Sequence, residues 1–273
     1  MDGAEGQMMK NFTIGQYYPV KSPIHSLDPR TKITCVFIFI IALFLAYDYY
    51  SYANTIIFSL IMIVLSRVPL KTILKALKPI IIFVLITALI HAFLTPGTEV
   101  WRWGVLKVTK EGLNQAVFTA CRLILLIGVS SLLTLTTTPI SLTDGMESIL
   151  GPFKRIGLPA HELAMMMTIA LRFIPTLLEE TDKIMKAQVS RGADFISGNL
   201  IKKSKALVPL LVPLFISAFK RAEELALAME ARGYHGGEGR TRMRVLRMKS
   251  ADWISLGLVS AFLVYMGFYR WFM

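Results

Sequence analysis

The hydrophobic residues of this chain are concentrated in long runs that only short polar stretches interrupt. A helix needs about 20 apolar residues to cross the hydrocarbon core of a bilayer, so such runs predict transmembrane helices. The predicted spans are residues 33–47, 53–65, 79–94, 113–136 and 253–272. The second run is short, and we expect it to extend into the Tyr and Ser residues beside it. The pattern predicts an all-α, polytopic membrane protein with about five transmembrane helices.

The first run is preceded by residues that favour the start of a helix. Asp28 offers a side-chain acceptor suited to the N-cap position. Pro29 suits the first helical position, where its missing N–H would have no partner in any case. We therefore expect a helix to begin at Pro29 and to lead into the first span.

Two further apolar stretches, residues 163–178 and 207–219, are ambiguous. Both are interrupted by prolines, and the first also contains Arg172. Each continues into a charged, helix-like stretch, at 179–189 and 220–230 respectively. Helices that begin apolar and end charged are typical of amphipathic elements at or under the bilayer surface, which is the interpretation we favour. A re-entrant or spanning pair remains the alternative.

Charge is distributed unevenly between these segments. The chain is 54% hydrophobic yet has a formal net charge of +12. The N-terminal segment, the 66–78 loop and residues 138–250 together hold 25 of the 30 Lys and Arg residues. Because cytoplasmic loops accumulate Lys and Arg, the N-terminus and the 138–250 region are predicted to be cytoplasmic. Five spans then leave the C-terminus outside.

The predicted organisation has three parts. Residues 1–137 form an N-terminal region with four spans, and residues 251–273 form the last span. Residues 138–250 between them form a cytoplasmic module of long amphipathic helices. No apolar leader with a small-residue cleavage site opens the chain, so no removable signal peptide is expected. Cys35 and Cys121 both lie in apolar runs, so no disulfide framework is expected either.

Motifs for catalysis or cofactor binding are not found in the sequence. There is no GxxxxGK[ST] phosphate loop and no GxGxxG, and His161-Glu162 lacks the second His of a zinc protease motif. The chain is therefore not expected to be an enzyme or to bind a cofactor. The predicted spans contain few ionisable residues, chiefly His91 and Arg122. This argues against a stand-alone secondary transporter, because ion-driven carriers usually place acidic groups near the bilayer midplane.

Two tripeptides in the basic region have the same pattern, one Arg between small residues. They are Ser190-Arg191-Gly192 and Ala231-Arg232-Gly233. Each closes a charged helical stretch, and Gly suits the left-handed position just after a helix. Either one alone is explained as a helix C-cap with an Arg favoured by the helix dipole. Two such ends, 41 residues apart, indicate two equivalent helix ends that fit two equivalent sockets, where each guanidinium can pair with a carboxylate.

An ordered set of stretches resembles the transmembrane T component of energy-coupling factor transporters, the vitamin and metal importers of prokaryotes. These stretches are Ser22-Pro23-Ile24-His25, Leu27-Asp28-Pro29-Arg30-Thr31-Lys32, Thr138-Pro139 with Pro159, Leu171-Arg172-Phe173-Ile174-Pro175 with Glu179-Glu180, Gln188-Val189-Ser190-Arg191-Gly192 and Met229-Glu230-Ala231-Arg232-Gly233. Together they extend over most of the chain. A single tripeptide is a weak signal, but the ordered set is specific.

This resemblance implies a function as a coupling subunit. Arg191 and Arg232 would dock into a pair of ABC-type ATPases, with Ser190, Gly192, Ala231 and Gly233 as small flanks. Ser190 stands where Ala is frequent in the family, and Ser is nearly as small. ATPase closure would then tilt a membrane-embedded, substrate-binding S component, and this chain would bind neither nucleotide nor vitamin. An ordinary ABC permease is the remaining alternative. Each ATPase-facing half of a permease would normally present one coupling element, so two docking arginines on one chain favour the T component.

Two surface features complete the analysis. Met165, Met166 and Met167 form a soft, repackable stretch that suits variable partners. Core packing is the more common role of such a stretch, and contact with the S component is our hypothesis. A basic strip lies just before the last span. It consists of Arg240, Arg242, Arg244, Arg247 and Lys249. Its position predicts contact with anionic membrane lipid rather than with nucleic acid.

Overall fold

The computed structural model describes residues 17–103, 106–156, 159–193, 195, 200–236 and 246–272. The chain divides into two compact units, one made of residues 1–148 with 245–273 and the other of residues 149–244. The predicted all-α class is confirmed, and one small two-stranded sheet is added to it. Arg240, Arg242 and Arg244 of the predicted basic strip lie outside the described residues, as does the N-terminal segment up to residue 16.

Nine α-helices are found among the described residues. They are α1 Pro29–Leu45, α2 Tyr49–Ser66, α3 Leu70–Leu77, α4 Ile81–Leu94, α5 Lys110–Thr136, α6 Pro139–Leu150, α7 Ala160–Ser190, α8 Leu200–Ala231 and α9 Ser250–Phe272. A short 3₁₀ turn at Lys78–Ile80 joins α3 to α4, and another at Gly151–Ile156 follows α6. The strands are β1 Glu99–Trp103 and β2 Leu106–Thr109, which pair antiparallel.

The start of α1 agrees with the sequence prediction. The Asp28 side chain accepts a hydrogen bond from the Arg30 N–H at 3.0 Å, and Pro29 occupies the first helical position. The start of α5 is capped in the same way, because Thr109 Oγ1 accepts from the Gly112 N–H at 3.0 Å. Both caps satisfy backbone donors that have no partner inside the helix.

Five helical segments among the described residues are long and apolar enough to cross a membrane. They are Tyr49–Ser66, Leu70–Leu94, Lys110–Thr136, Ala160–Ser190 and Ser250–Phe272. The number agrees with the prediction, but the set differs. The first predicted span coincides with α1, whose 17 residues are one fewer than in the shortest of the five. Conversely, α7 qualifies by length and composition, although its sequence favoured a surface position.

Within the first unit, α1 and α5 run antiparallel. Lys32 Nζ, near the start of α1, donates to the Thr136 carbonyl at the end of α5, at 2.9 Å. After the last turn of α1, the Ala46 carbonyl accepts from Arg122 Nη2 at 3.0 Å. Each bond satisfies a carbonyl at a helix end that has no donor within the helix. Each also provides an acceptor for a cation that lies in an apolar bundle.

The last helix, α9, runs parallel to α1 and antiparallel to α2. Its N-terminal end is fixed by Asp252, whose Oδ1 accepts from the Asp28 N–H at 2.8 Å. Towards its other end, the Tyr265 hydroxyl accepts from Asn54 Nδ2, near the start of α2, at 3.2 Å. The first and last described helices of the chain are therefore neighbours in one bundle.

Stacked aromatic rings pack helices together inside the first unit. Phe58 stacks on Phe262 with ring centroids 4.5 Å apart, and Phe39 lies 5.9 Å from Phe58. These rings join α1, α2 and α9, and Phe39 is 3% exposed. By contrast, α4 buries none of its side chains. An apolar helix with an exposed surface of this kind is stable in lipid, and the chain is a multi-pass membrane protein.

Candidate functional site

The two long helices of the second unit are α7 and α8. Each contains one of the ambiguous apolar stretches and continues without a break through the charged stretch that follows it. The prediction that each apolar stretch and its charged continuation form one long helix is therefore confirmed, although α8 begins before its apolar stretch, in a segment that contains Lys202, Lys203 and Lys205. Pro175 lies inside α7, and Pro209 and Pro213 lie inside α8.

An ion pair joins α7 to α8. Glu180 Oε2 accepts from Nε and Nη2 of Arg221 at 3.2 and 3.0 Å, and Ser217 Oγ donates to the other carboxylate oxygen. Two guanidinium nitrogens bond to one carboxylate oxygen and the Ser217 hydroxyl bonds to the other, so these charge-assisted bonds restrict the orientation of Glu180. The Glu180 and Arg221 side chains are 21% and 38% exposed, so water screens the pair only in part.

A second contact shows that the two helices run antiparallel. Gln188, eight residues beyond Glu180, donates from Nε2 to the Pro209 carbonyl at 3.2 Å. Pro209 lies twelve residues before Arg221 (221 − 209). The Pro209 carbonyl has no helical donor, because residue 213 is a proline and lacks the N–H that would bond four residues back. Gln188 thus supplies from α7 the donor that α8 lacks.

The first tripeptide ends α7 in a Schellman motif. Gly192 has φ +88°, and its N–H donates to the Val189 carbonyl at 2.9 Å. The Ala193 N–H donates to the Gln188 carbonyl, also at 2.9 Å. This is the paired 5→2 and 6→1 bonding that closes many helices, and it requires a left-handed residue at the Gly position.

The second tripeptide ends α8 in the same way. Gly233 has φ +70°, and its N–H donates to the Glu230 carbonyl at 2.9 Å. The Tyr234 N–H donates to the Met229 carbonyl at 3.0 Å. The predicted role of both glycines as left-handed helix caps is confirmed, and the two ends have the same hydrogen-bond pattern.

Arg191 and Arg232 occupy equivalent positions, each one residue before the left-handed glycine. Both side chains are exposed, and neither has an ion-pair or hydrogen-bond partner within the described part of the chain. A cation is favoured at this position, because the carbonyl groups at a helix C-terminus carry partial negative charge. Each guanidinium is therefore available to a group outside the described structure.

The two arginines are also equally far from the ion pair. Arg191 follows Glu180 by 11 residues (191 − 180), and Arg232 follows Arg221 by 11 (232 − 221). At 1.5 Å per residue, each helix extends about 16 Å beyond the pair. Because α7 and α8 are antiparallel, these two arms point in opposite directions and present their arginines at opposite ends of the helix pair.

The small flanking residues leave space around each arginine. Ser190, Gly192, Ala231 and Gly233 are all exposed. The Ser190 hydroxyl donates to the Lys186 carbonyl of its own helix at 3.0 Å, so it adds little bulk to the helix end. A side chain on Gly192 or Gly233 would meet no atom within 4 Å, which shows that φ, rather than crowding, requires glycine in the isolated chain.

The methionine stretch lies near the start of α7. Met166 and Met167 are 57% and 52% exposed, and Met165 is half-buried. Met166 and Met167 therefore do not pack in a core of this chain. A flexible thioether surface of this kind remains open to a partner or to lipid.

Asp252 is a structural residue that the sequence analysis did not single out. It is 1% exposed and accepts the backbone N–H groups of Asp28 at 2.8 Å and Lys249 at 2.7 Å. The Lys32 ammonium nearby donates to the carbonyl oxygens of His25 and Thr136 at 3.2 and 2.9 Å. These buried charges tie the loop before α1 to the ends of α5 and α9.

His25 adds a neutral ring to this network. Its Nε2 donates to the Tyr18 carbonyl at 3.0 Å, and Ser22 Oγ donates to Nδ1 at 2.7 Å. Burial lowers the pKa of His25 below its usual 6.5, and the nearby Lys32 charge adds to the effect. The Ser-Pro-Ile-His stretch that carried part of the resemblance thus orders the loop before α1.

The chain is similar to known transporter proteins over most of its length. The family model described as cobalt transport protein matches residues 20–243. The energy-coupling factor transporter transmembrane protein EcfT of Acidaminococcus fermentans is 55% identical over 264 residues, which are 97% of this chain and 98% of the relative. The EcfT of Clostridium kluyveri is 58% identical over 250 residues, 91% of this chain and 93% of the relative.

A third relative comes from another genus. The EcfT of Bacillus subtilis is 52% identical over 263 residues, which are 95% of this chain and 99% of the relative. All three relatives match this chain over nearly their full length, including the stretches that contain both tripeptides. The resemblance found in the sequence is therefore confirmed, and the chain belongs to the EcfT family, the transmembrane (T) components of energy-coupling factor transporters.

Proposed function

We propose that this chain couples ATP hydrolysis by two separate ABC-type ATPase subunits to the import of a vitamin or a metal ion. The substrate is held by a membrane-embedded S component, not by this chain. The observation that carries the proposal is the equivalence of two helix ends. Each presents an unpaired Arg before a left-handed glycine, and the two lie equally far from the Glu180–Arg221 ion pair on antiparallel helices.

Each helix end has the form of a plug. The guanidinium of Arg191 or Arg232 enters a groove on an ATPase and forms a bidentate pair with a carboxylate there. Its small neighbours allow the helix end to approach closely. Two ends that point in opposite directions engage two ATPases rather than one.

The pairing of α7 with α8 transmits movement from the docked helix ends to the rest of the two helices. When the ATPases close on ATP, both docked ends move. The Glu180–Arg221 pair and the Gln188–Pro209 bond hold the two helices together, so the movement is shared by their apolar halves. We propose that the S component rests beside this part of the chain and tilts with it.

Met165, Met166 and Met167 are our candidate contact with the S component. They lie on the apolar half of α7, where Met166 and Met167 are exposed. Single cysteines at these positions should cross-link to the S component in the assembled transporter. Cross-links to lipid alone would reject this contact without affecting the docking of the ATPases.

The orientation we propose places the 138–250 module and the N-terminus in the cytoplasm, with the C-terminus outside. Charge in the first unit supports this. The end that contains α3 and the start of α1 carries exposed Lys21, Arg67, Lys71 and Lys75. Lys and Arg concentrate on the cytoplasmic side of membrane proteins. Residues 1–137, 138–250 and 251–273 would then be four spans, the coupling module and the last span.

Charge reversal at the two arginines tests the proposal. Arg191→Glu and Arg232→Glu should each weaken co-purification of the ATPases, and the double variant should lose it. The reversal brings like charges together in a desolvated groove, which costs several kcal/mol. Lys183→Glu and Lys220→Glu, exposed positions on the same two helices, are the matched controls and should retain the ATPases. Recovery of the full complex with the double variant would reject the docking role.

A further inference from the structure

A second group of unpaired cations lies in the first unit, around helix α3. Arg67, Lys71, Lys75 and Lys78 are all exposed. None of them has an ion-pair partner within the described part of the chain. The sequence contains no Asp or Glu between Asp48 and Glu99, so no local carboxylate is available to any of the four.

The spacing of these cations places them together. Lys71, Lys75 and Lys78 recur at intervals of four and three residues, and the helical backbone continues from α3 through Lys78. Side chains at these intervals lie on one face of a helix, and like charges there repel one another. Arg67 lies in the turn before α3, four residues before Lys71, and its φ is 56°. A bound anion would relieve the repulsion.

The same short helix has an apolar surface that protein does not cover. Ile73 is 4% exposed and packs in the core of the first unit, whereas Leu70 and Leu74 are 58% and 60% exposed. The helix is therefore anchored by one side chain and presents both leucines and lysines outwards. Exposed Leu beside Lys on an amphipathic helix is typical of an element at the boundary between acyl chains and headgroups.

The position of α3 in the chain agrees with that depth. It follows α2, which is a candidate span, and forms the first two turns of the next candidate span, Leu70–Leu94. Immediately after it, Ile82 and Phe83 at the start of α4 are 63% and 65% exposed, as expected of side chains that face lipid. The cations are thus placed at the level where a membrane span ends.

We propose that Arg67, Lys71, Lys75 and Lys78 form a binding site for the headgroup of an anionic phospholipid. The phosphate lies among the four cations, where the Arg67 guanidinium can bind two of its oxygens. Leu70 and Leu74 enter the acyl region beneath it. The site is separate from the docking arginines, and it requires only this chain and lipid.

Lipid binding can be measured on the purified full chain by native mass spectrometry in detergent. The probes are phosphatidylglycerol and phosphatidylcholine, each titrated alone, and the Kd is taken from the adduct intensities. The wild-type chain should bind phosphatidylglycerol more tightly. Lys71→Gln with Lys75→Gln should raise the Kd for phosphatidylglycerol by about fivefold for each cation removed and leave the Kd for phosphatidylcholine unchanged.

The matched control removes two cations from the opposite end of the first unit. Lys110 begins α5 beside the end of α4, since the neighbouring Gly112 approaches the carbonyl oxygens of His91 and Ala92. Arg270 lies near the end of α9 and is exposed. Lys110→Gln with Arg270→Gln should leave the Kd for phosphatidylglycerol as in the wild type. Elution volume and far-UV circular dichroism show that both variants are folded.

Two results would overturn the proposal. The first is an unchanged Kd for phosphatidylglycerol in the Lys71→Gln, Lys75→Gln variant. If that variant also recovered fewer ATPase subunits from the assembled transporter, the four cations would be assigned to a protein partner. The second is an equal rise of the Kd in the control variant, which would show attraction to net charge alone. An unchanged Kd by itself, or an equal rise in the control, would not affect the docking role of Arg191 and Arg232.

Discussion

Glu180 on α7 accepts both Nε and Nη2 of Arg221 on α8, at 3.2 and 3.0 Å. The two residues are 41 positions apart (221 − 180), the same spacing as Arg191 and Arg232 (232 − 191). The contact therefore divides the helix pair into two C-terminal arms of equal length. The equality agrees with the proposed docking to two ATPases, because each arm would then present its arginine at the same distance from the contact.

The coupling between Glu180 and Arg221 should be measurable by a double-mutant cycle. We expect Glu180→Ala and Arg221→Ala to be non-additive by about 0.5–1 kcal/mol in the free energy of unfolding, because two N–H groups of Arg221 bond to one carboxylate oxygen but water screens the pair in part. Thermal and denaturant unfolding in detergent would provide the values. Strict additivity of the two substitutions would show that the pair does not stabilise the helix contact.

Gln188 should matter only while residue 213 is a proline. In the wild-type background we expect Gln188→Leu to cost about 1 kcal/mol, because the Pro209 carbonyl loses its donor. Pro213→Ala restores a helical N–H to that carbonyl. The cost of Gln188→Leu, measured by unfolding as the difference between paired variants, should then fall to less than half. An equal cost in both backgrounds would contradict the role given to this bond.

The caps of α7 and α8 depend on a left-handed residue. Gly192→Ala should cost about 1–2 kcal/mol in unfolding free energy, because a Cβ is strained at φ +88°. Gly192→Asn should cost less, since Asn tolerates this conformation better than Ala. Gly257→Ala is the control, because Gly257 lies inside α9 with open space around it and helix propensity favours Ala there. Equal effects of Ala at 192 and 257 would contradict the cap assignment.

The loop before α1 should become less stable in acid. The folded pKa of His25 lies below its unfolded value of 6.5, because burial disfavours the charged ring. Above pH 6.5 the ring is neutral in both states and has no effect. As pH falls from 6.5 through the folded pKa, the unfolded chain binds the proton more readily, and stability is lost.

A series of melting temperatures between pH 8 and pH 5 would check this. His25→Gln retains a donor for the Tyr18 carbonyl but cannot titrate, so its profile should be flatter than that of the wild type. His235→Gln, at an exposed position, should leave the wild-type profile unchanged. A wild-type profile that does not depend on His25 would contradict the assignment.

The sequence predictions that the structure confirmed rest on residues that act on backbone groups close to them in the chain. Asp28 and Pro29 mark a helix start because each acts on backbone groups within a few residues. Gly192 and Gly233 mark helix ends for the same reason, since φ at one residue decides the cap. These four positions could be assigned without knowledge of the fold.

Contacts between distant residues could not be predicted in this way. Asp28 and Asp252 meet across 224 positions, and no local pattern identifies which buried carboxylate accepts which N–H. Glu180 and Arg221 are ordinary surface charges in the sequence and become a pair only when α7 and α8 turn back on each other. The β1–β2 hairpin was not predicted, because strands of five and four residues are too short to show a clear alternation of polar and apolar positions.

Hydropathy alone also could not decide how much of α1 and of α7 is exposed on the surface of the chain. Hydropathy records composition but not what surrounds a helix. In α1, Phe39 and Leu43 are buried against other helices, whereas Met166 and Met167 of α7 are exposed. The exposure of a side chain on either helix therefore depends on which other helices pack against it.

Photo-cross-linking at the two helix ends tests the central claim most directly. A photoreactive amino acid would replace Ser190 in one variant of the assembled transporter and Ala231 in another, with Lys220 as the control position. We predict that each of the first two variants forms an adduct with an ATPase subunit, that the two positions label different subunits, and that position 220 labels neither. If positions 190 and 231 gave no ATPase adduct in a complex that still hydrolyses ATP, these helix ends could not be the docking sites.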